Sequence, residues 1–284
     1  MNQPELRSLA GVPLEVVHAA FLAAFADYAV PMQLDLAALA TMLTRRGYAP
    51  ELSVGAFAGE QLVAFHLICR GSWQGRPAVY DTGSGVLPTW RGRRLSRAMF
   101  EWLAPRWRDA GVVEARLEVL VDNLAARRSY ESVGFTVCRE FDCLQLDAVP
   151  EAVLAEGVSL RVETSNHWPE VARAWFHVEP AWQNSIAALA ASPQVFSRLA
   201  LWRGEVCVAV GIINPVSGEL PLFAVAPDQR RQGLGRALLA ALRAHSEKPL
   251  RFINLESGCD SVLLLQALGA QCTARQVEMV WPLA

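Results

Sequence analysis

Residues 224–239 read AVAPDQRRQGLGRALL, and residues 86–100 read VLPTWRGRRLSRAMF. With Arg91 set against Arg230, each stretch runs from an apolar strand end through a proline (Pro88, Pro227) and an arginine-rich turn into an amphipathic helix. A motif written twice, half a chain apart, predicts two copies of one folding unit. At 284 residues, each copy has enough sequence to bury its own core.

Reading outward from the first motif, the apolar segments 52–57, 61–70 and 78–87 predict an antiparallel meander. Helical spacing of apolar residues precedes it over 13–25 and 34–45, with Asp35 as an N-terminal cap. A helix over 95–108, a buried strand over 115–121, a helix over 124–133 and a strand over 135–146 follow. The second half repeats that order in shorter form. It gives strand 158–162, helices 168–176 and 186–191, a hairpin of 199–202 with 206–213, then strand 220–225 before the motif and helix 234–245 after it. Strand 250–255, helix 262–268 and strand 277–281 complete it. The fold class is α+β, with two domains, each a mixed, mainly antiparallel sheet of about six strands flanked by helices. The expected domains are 1–148 and 157–284, joined by residues 149–156 within the polar, proline- and glycine-containing DAVPEAVLAEG.

Composition narrows the function. A net charge of -2 argues against a dedicated nucleic-acid binder, which needs a concentrated basic surface. The longest apolar runs, 117–121 and 206–213, fall far short of the ~20 residues that span a bilayer. The start, MNQPELRSLAGVPLE, lacks the basic and apolar pattern of a secretory signal, so a cytoplasmic protein is expected. Six scattered cysteines without a CxxC, and His18, His66, His167, His177 and His245 without ligand spacing, point to free thiols and no metal.

The second turn, RRQGLG at 230–235, has glycine at alternate positions where a strand passes directly into a helix. Glycine permits positive φ and lets backbone N–H groups close on a ligand. The first turn of a helix leaves N–H groups unpaired at the positive end of its dipole, which suits phosphate or pyrophosphate. Taken alone, the pattern equally fits a tight connection with solvated arginines. A GxxxxGK phosphate loop needs a lysine that neither turn has. A dinucleotide fingerprint opens a βαβ unit, whereas these turns follow a meander.

The pattern V-x-P-x-x-[QR]-x-x-G-x-[GA] between strand and helix resembles the acyl-CoA signature of the GNAT superfamily of N-acetyltransferases. Val225, Pro227, Arg230, Gly233 and Gly235 match throughout; Val86, Pro88 and Arg91 match in the first copy, where Arg94 and Ser96 replace the two glycines. Residues 123–135, NLAARRSYESVGF, resemble the second GNAT signature through Asn123, Ala126, Tyr130, Glu131, Gly134 and Phe135. The element order agrees in both halves, so the chain is identified as a tandem member of that superfamily.

The resemblance implies acetyl-CoA as co-substrate, held in a cleft where two strands splay, with its pyrophosphate on the motif turn and its pantetheine along strand 81–87 or 219–226. The implied contacts in the first half are Ser84, Val86, Arg91, Gly92, Arg93, Arg94, Leu95, Ser96, Arg97 and Asn123. In the second half they are Phe223, Val225, Arg230, Arg231, Gln232, Gly233, Leu234, Gly235 and Arg236. An amine then attacks the thioester directly, without a metal.

Such a reaction must take a proton from an ammonium near pKa 10.4 and give one to a thiolate. Tyr130 suits the acid role, and Asp81 on the motif strand is the expected proton acceptor, with Glu219 as its counterpart in the second half. Plainer roles compete: a Tyr on a short helix also serves as packing, and Asp81 in YDTG also fits a strand-end hydrogen-bond acceptor. Aligning Gly134 with Gly269 sets Leu265 opposite Tyr130, so the second half has the better cradle and the first the better acid. Phe21, Phe25, Tyr28, Pro31 and Met32 sit where the family builds its acceptor wall, although core packing also accounts for Phe21 and Phe25.

The expectation is acetyl transfer from acetyl-CoA to a primary amine, on a small molecule or a protein, in the first half. The alternative is a CoA-binding regulatory or scaffold protein with degenerate sites. No nucleic acid or membrane is expected as a partner, and the chain is expected as a monomer or homodimer.

Overall fold

A short edge strand absent from the sequence reading, β1 (Glu5–Ser8), is the first element and pairs antiparallel with β2 (Val54–Ala58). The computed structural model describes residues 3–27, 34–163 and 173–283. Its contacts divide the chain into unit 1, Met1–Arg139 with Val277–Ala284, and unit 2, Glu140–Gln276.

In unit 1 the meander continues from β2 to β3 (Gln61–Trp73) and β4 (Arg76–Val86), each pair antiparallel. Helices α1 (Leu14–Ala24) and α2 (Leu36–Arg46) lie between β1 and β2 in the chain. Asp35 caps α2 as expected, its carboxylate accepting the Ala38 N–H at 2.7 Å. The motif turn leads from β4 into α3 (Leu95–Asp109), and β5 (Glu114–Leu120) returns parallel to β4. Then come α4 (Leu124–Glu131) and β6 (Thr136–Leu146); β12 (Gln271–Pro282) lies between β5 and β6.

α3 buries Leu95, Met99, Phe100, Leu103 and Trp107, a spacing of three and four residues that sets them on one face. Burial of each such side chain stabilises by about 1.5–3 kcal/mol. They join Phe21, Phe65, Leu67 and Phe135 in one core, and the Trp107 indole N–H is satisfied by the Leu52 carbonyl at 3.0 Å.

Unit 2 has its own meander, ordered β10-β9-β8-β7, from β7 (Val158–Val162), β8 (Ser197–Arg203), β9 (Val206–Ile213) and β10 (Leu222–Val225). Helix α5 (Ile186–Ala191) precedes β8, and the second motif turn leads from β10 into α6 (Leu234–Arg243). Leu234, Leu238, Leu239 and Leu242 of α6 are buried, while Arg236 and Arg243 face outward. β11 (Leu250–Glu256) and α7 (Asp260–Ala267) complete the copy, with β11 antiparallel to the 141–146 part of β6. The helix expected over 168–176 falls mostly outside the described residues.

The division between units runs through two strands. β6 gives 136–139 to unit 1 and 140–146 to unit 2, and β12 gives 277–282 to unit 1 and 271–276 to unit 2. Residues 149–156, expected from composition as the joint, lie in unit 2, where Val149, Ala152 and Leu154 pack on its core.

Candidate active site

The parallel pairing of β4 with β5 covers Ala78 to Asp81 and Glu114 to Leu117. Beyond that point β4 runs on to Val86 and β5 to Leu120 unpaired with one another, so the strands part and open one edge of β4. Unit 2 repeats the device: a single parallel bridge, Glu219 with Arg251, precedes the separation of β10 from β11. An open cleft there is lined by Phe176, Pro180, Phe223, Asn254, Glu256 and Cys259 among others.

β4 carries a bulge at the opening. Leu67 pairs with Gly83 and Ile68 with Asp81, leaving Thr82 as the extra residue. Asp81, the carboxylate expected to take the amine proton, is buried, with both oxygens engaged within the chain. Oδ1 accepts the Gly83 N–H at 3.0 Å, while Oδ2 lies 3.1 Å from His66 Nδ1 and accepts the Ser84 hydroxyl. Ser84 also meets His66 Nδ1, which accounts for the side chain of another expected ligand contact. His66 is fully buried against Phe100 of α3, with ring centroids 4.1 Å apart. Its Nε2 contacts the Ser96 carbonyl at 3.2 Å, and since a carbonyl only accepts, Nε2 carries a proton.

The two motif turns have the same backbone despite different residues. Gly92 (φ 76°) and Arg94 (φ 59°) are left-handed in the first; Arg231 (φ 63°) and Gly233 (φ 80°) are left-handed in the second. Each then enters a helix at a leucine, Leu95 or Leu234, with Ser96 or Gly235 in its first turn. Both helix starts therefore present unpaired N–H groups and a positive dipole end to an anion.

The leading arginines do a different job. Arg91 Nε donates to the Val86 carbonyl and Arg230 Nε to the Val225 carbonyl, both at 3.2 Å. Arg91 also grips the end of α1, donating to Ala24 O at 3.0 Å and to both oxygens of Asp27 at 2.6 and 2.8 Å. That bond lowers the Asp27 carboxyl below its usual range. Arg230 likewise donates to Trp175 O at 2.8 Å and meets His177 Nε2. These two guanidinium groups brace the turn. Arg93 donates to Thr89 O and lies over the Trp90 ring, and Arg97 pairs with Glu101 one turn along α3. Gln232 accepts from Arg203, and Arg236 donates to Glu151 O.

Asn123 caps α4, accepting the Ala126 N–H at 3.2 Å. Tyr130 on that helix is buried, its ring edge-on to Phe100 at 5.8 Å and to Phe135 at 6.0 Å. The neighbouring Ser129 hydroxyl donates to Ser96 Oγ at 3.2 Å. A bonded series thus links α4, the start of α3, His66 and the Asp81–Ser84 pair beside the opening of β4 and β5. In unit 2, Leu265 is fully buried and brings no polar atom. Phe21 and Phe25 pack with their rings tilted and centroids 4.6 Å apart in the core of unit 1, and Tyr28, Pro31 and Met32 lie outside the described residues.

Two residues missed by the sequence reading stand at the same opening. Glu118 follows Leu117 on β5, and its Oε2 accepts the Tyr80 hydroxyl at 2.8 Å. Burial, reinforced by the charge of Glu278, pushes the Glu118 carboxyl up to about 7. Burial also raises Tyr80 well above the usual phenol range. A glutamate inside the apolar strand 115–121 was the available signal.

The sequence model of the acetyltransferase (GNAT) family matches residues 18–135 and again 162–268. The chain belongs to that family. The tandem GNAT arrangement recurs in solved structures. A tandem GNAT protein from the clavulanic acid biosynthesis pathway matches with TM-score 0.74 at 15% identity, covering 99% of each chain. A GCN5-related N-acetyltransferase from Sphaerobacter thermophilus gives 0.70 at 14%, over 98% of this chain and 95% of the other. One from Kribbella flavida gives 0.64 at 16%, over 98% and 72%. Among curated protein sequences, none matches significantly. GNAT membership makes acyl transfer the general chemistry of the fold, and no described helix is long and apolar enough to cross a membrane.

Proposed function

We propose that the chain transfers an acetyl group from acetyl-CoA to a primary amine of a small molecule or protein, with the chemistry in unit 1. The observation that carries this reading is Tyr130, held by Phe100 and Phe135 next to the first turn of α3. The start of α3 and its left-handed turn would bind the pyrophosphate through backbone N–H groups, and the open edge of β4 at 84–86 would pair with the pantetheine. Bound there, acetyl-CoA supplies an activated carbonyl carbon and a thiolate leaving group. Tyr130 gives that thiolate its proton. Asp81 fits a positioning role, fixing the bulge through Gly83, His66 and Ser84.

One observation favours a different role for unit 2. Its turn backbone matches that of unit 1, yet aligning Gly134 with Gly269 sets the buried Leu265 opposite Tyr130, so unit 2 is read as a CoA-binding domain without an acid of its own. Thiol release from acetyl-CoA with a panel of amines tests the reading. Tyr130→Phe is expected to lower kcat by about 10²-fold or more. An active wild type that is indifferent to the substitution removes Tyr130. CoA binding without transfer to any amine supports the regulatory or scaffold alternative.

A further inference from the structure

Glu118 is the first residue of β5 beyond its last pair with β4, so it stands where the two strands begin to part. Ala115, Leu117 and Val119 enter the apolar core, and strand alternation turns Arg116 and Glu118 to the opposite face. Asp81 is turned toward α3 instead, against His66 and Ser84. The charged and titratable groups around Glu118 are Glu114 and Arg116 on its own strand, Tyr80 from β4 and Arg46 from α2. Cys69 from β3, Arg139 and Cys138 from β6 and Glu278 from β12 also lie there. Arg116 and Arg139 are bonded to Glu278, at 2.7 and 2.8 Å.

We propose that Glu118 takes the proton from the acceptor ammonium in unit 1, a role that rests on the acyl-transfer reading above. Burial and the Glu278 charge make its carboxyl titrate near neutrality, where a general base is most effective. The acceptor enters as R–NH3+. The Glu118 carboxylate removes one proton, the freed lone pair bonds to the thioester carbonyl carbon, and the C–S bond breaks with its electron pair on sulfur. Tyr130 protonates that sulfur and is reprotonated by the second proton that nitrogen loses in becoming an amide. Glu118 returns its proton to solvent, so the products are amide, thiol and one proton.

The test is the dependence of kcat on pH, from about pH 5.5 to about pH 9, for wild type, Glu118→Gln and Tyr80→Phe with one amine that wild type accepts. Wild type is expected to lose activity on acidification with a break near 7. Glu118→Gln is expected to lose that break and about 10²-fold or more in kcat, with CoA affinity by calorimetry unchanged. Tyr80→Phe removes a hydrogen bond that favours the carboxylate and is expected to move the break to higher pH. A Glu118→Gln enzyme that keeps both the break and its rate overturns the proposal. Should that variant fail to fold, an unmoved break in Tyr80→Phe overturns it instead. A wild type that acetylates no amine overturns the acyl-transfer reading itself.

Discussion

Arg94 and Gly233 occupy the same left-handed backbone position, each the residue that leads into its motif helix. Two places earlier in sequence the pairing is reversed: Gly92 stands in one turn and Arg231 in the other, again both left-handed. A non-glycine residue there costs about 1–2 kcal/mol. Each copy therefore bears that cost once, and glycine relieves it at the other position. The turn backbone is maintained while the side chains exchange, as expected if the turn acts through its N–H groups. Calorimetric titration with CoA is expected to give a stoichiometry near two per chain. A value near one would mean that Arg94 or Ser96 closes the first turn, and Arg94→Gly would then separate the two causes.

Gly134, the glycine of the second signature, has φ 115°, and a Cβ there would lie 2.8 Å from Nε1 of Trp281. Gly269, its counterpart in unit 2, has φ 92° with nothing within 4 Å of an added Cβ. Gly269→Ala therefore meets only the backbone penalty, about 1 kcal/mol. Gly134→Ala adds a steric conflict with a ring packed on Phe100, Trp107 and Phe135, for a total of about 2–4 kcal/mol. Thermal melts of the two variants should show the larger fall for Gly134→Ala. Equal falls would mean that Trp281 moves aside freely.

The helices and the meanders were legible because α3 and α6 repeat their apolar residues every three or four positions and β2 to β4 are bounded by turn residues. β1 was missed because ELRS is a polar edge segment with no alternation to read. β12 was read only over 277–281, since its first half, QCTARQ, has no apolar run and is ordered by its neighbour β6. The sidedness of Asp81 was hidden for a different reason. In a regular strand Asp81 and Ser84, three residues apart, point to opposite faces. The extra residue Thr82 sets both against His66, and such a bulge leaves no mark in a period-two pattern. Alternation in 115–120 does place Arg116 and Glu118 on one face. What they meet there comes from α2, β6 and β12, which are distant in sequence.

Glu278 is fully buried and accepts from Arg116 at 2.7 Å and from Arg139 at 2.8 and 2.9 Å. Glu278→Gln takes a carboxylate from two largely buried guanidinium groups, of which Arg116 keeps its pair with Glu114 at 2.7 Å, and breaking a buried pair in this way typically costs about 3–5 kcal/mol. Chemical denaturation should show that loss. Because the Glu278 charge also raises the Glu118 carboxyl, the variant should move the acidic break in kcat to lower pH. An unchanged break, in folded protein, would separate Glu278 from the titrating group.

Glu118 also makes a prediction about stability. Its carboxyl rises from 4.5 to about 7 on folding, so between those values the folded chain holds a proton that the unfolded chain has released. Folding is then favoured by protonation: the contribution is fully present below about 4.5 and is lost as pH rises through about 7. Above that range the native state carries a buried charge that disfavours it by up to about 3 kcal/mol. Glu118→Gln keeps an oxygen for the Tyr80 hydroxyl but carries no charge. The variant is therefore expected to melt above wild type at pH 8, with the gap narrowing on acidification and closing near pH 4.5. Calorimetric melts across that range check the sign. A gap that is constant with pH, or that widens in acid, would show that Glu118 is ionised in the folded chain throughout.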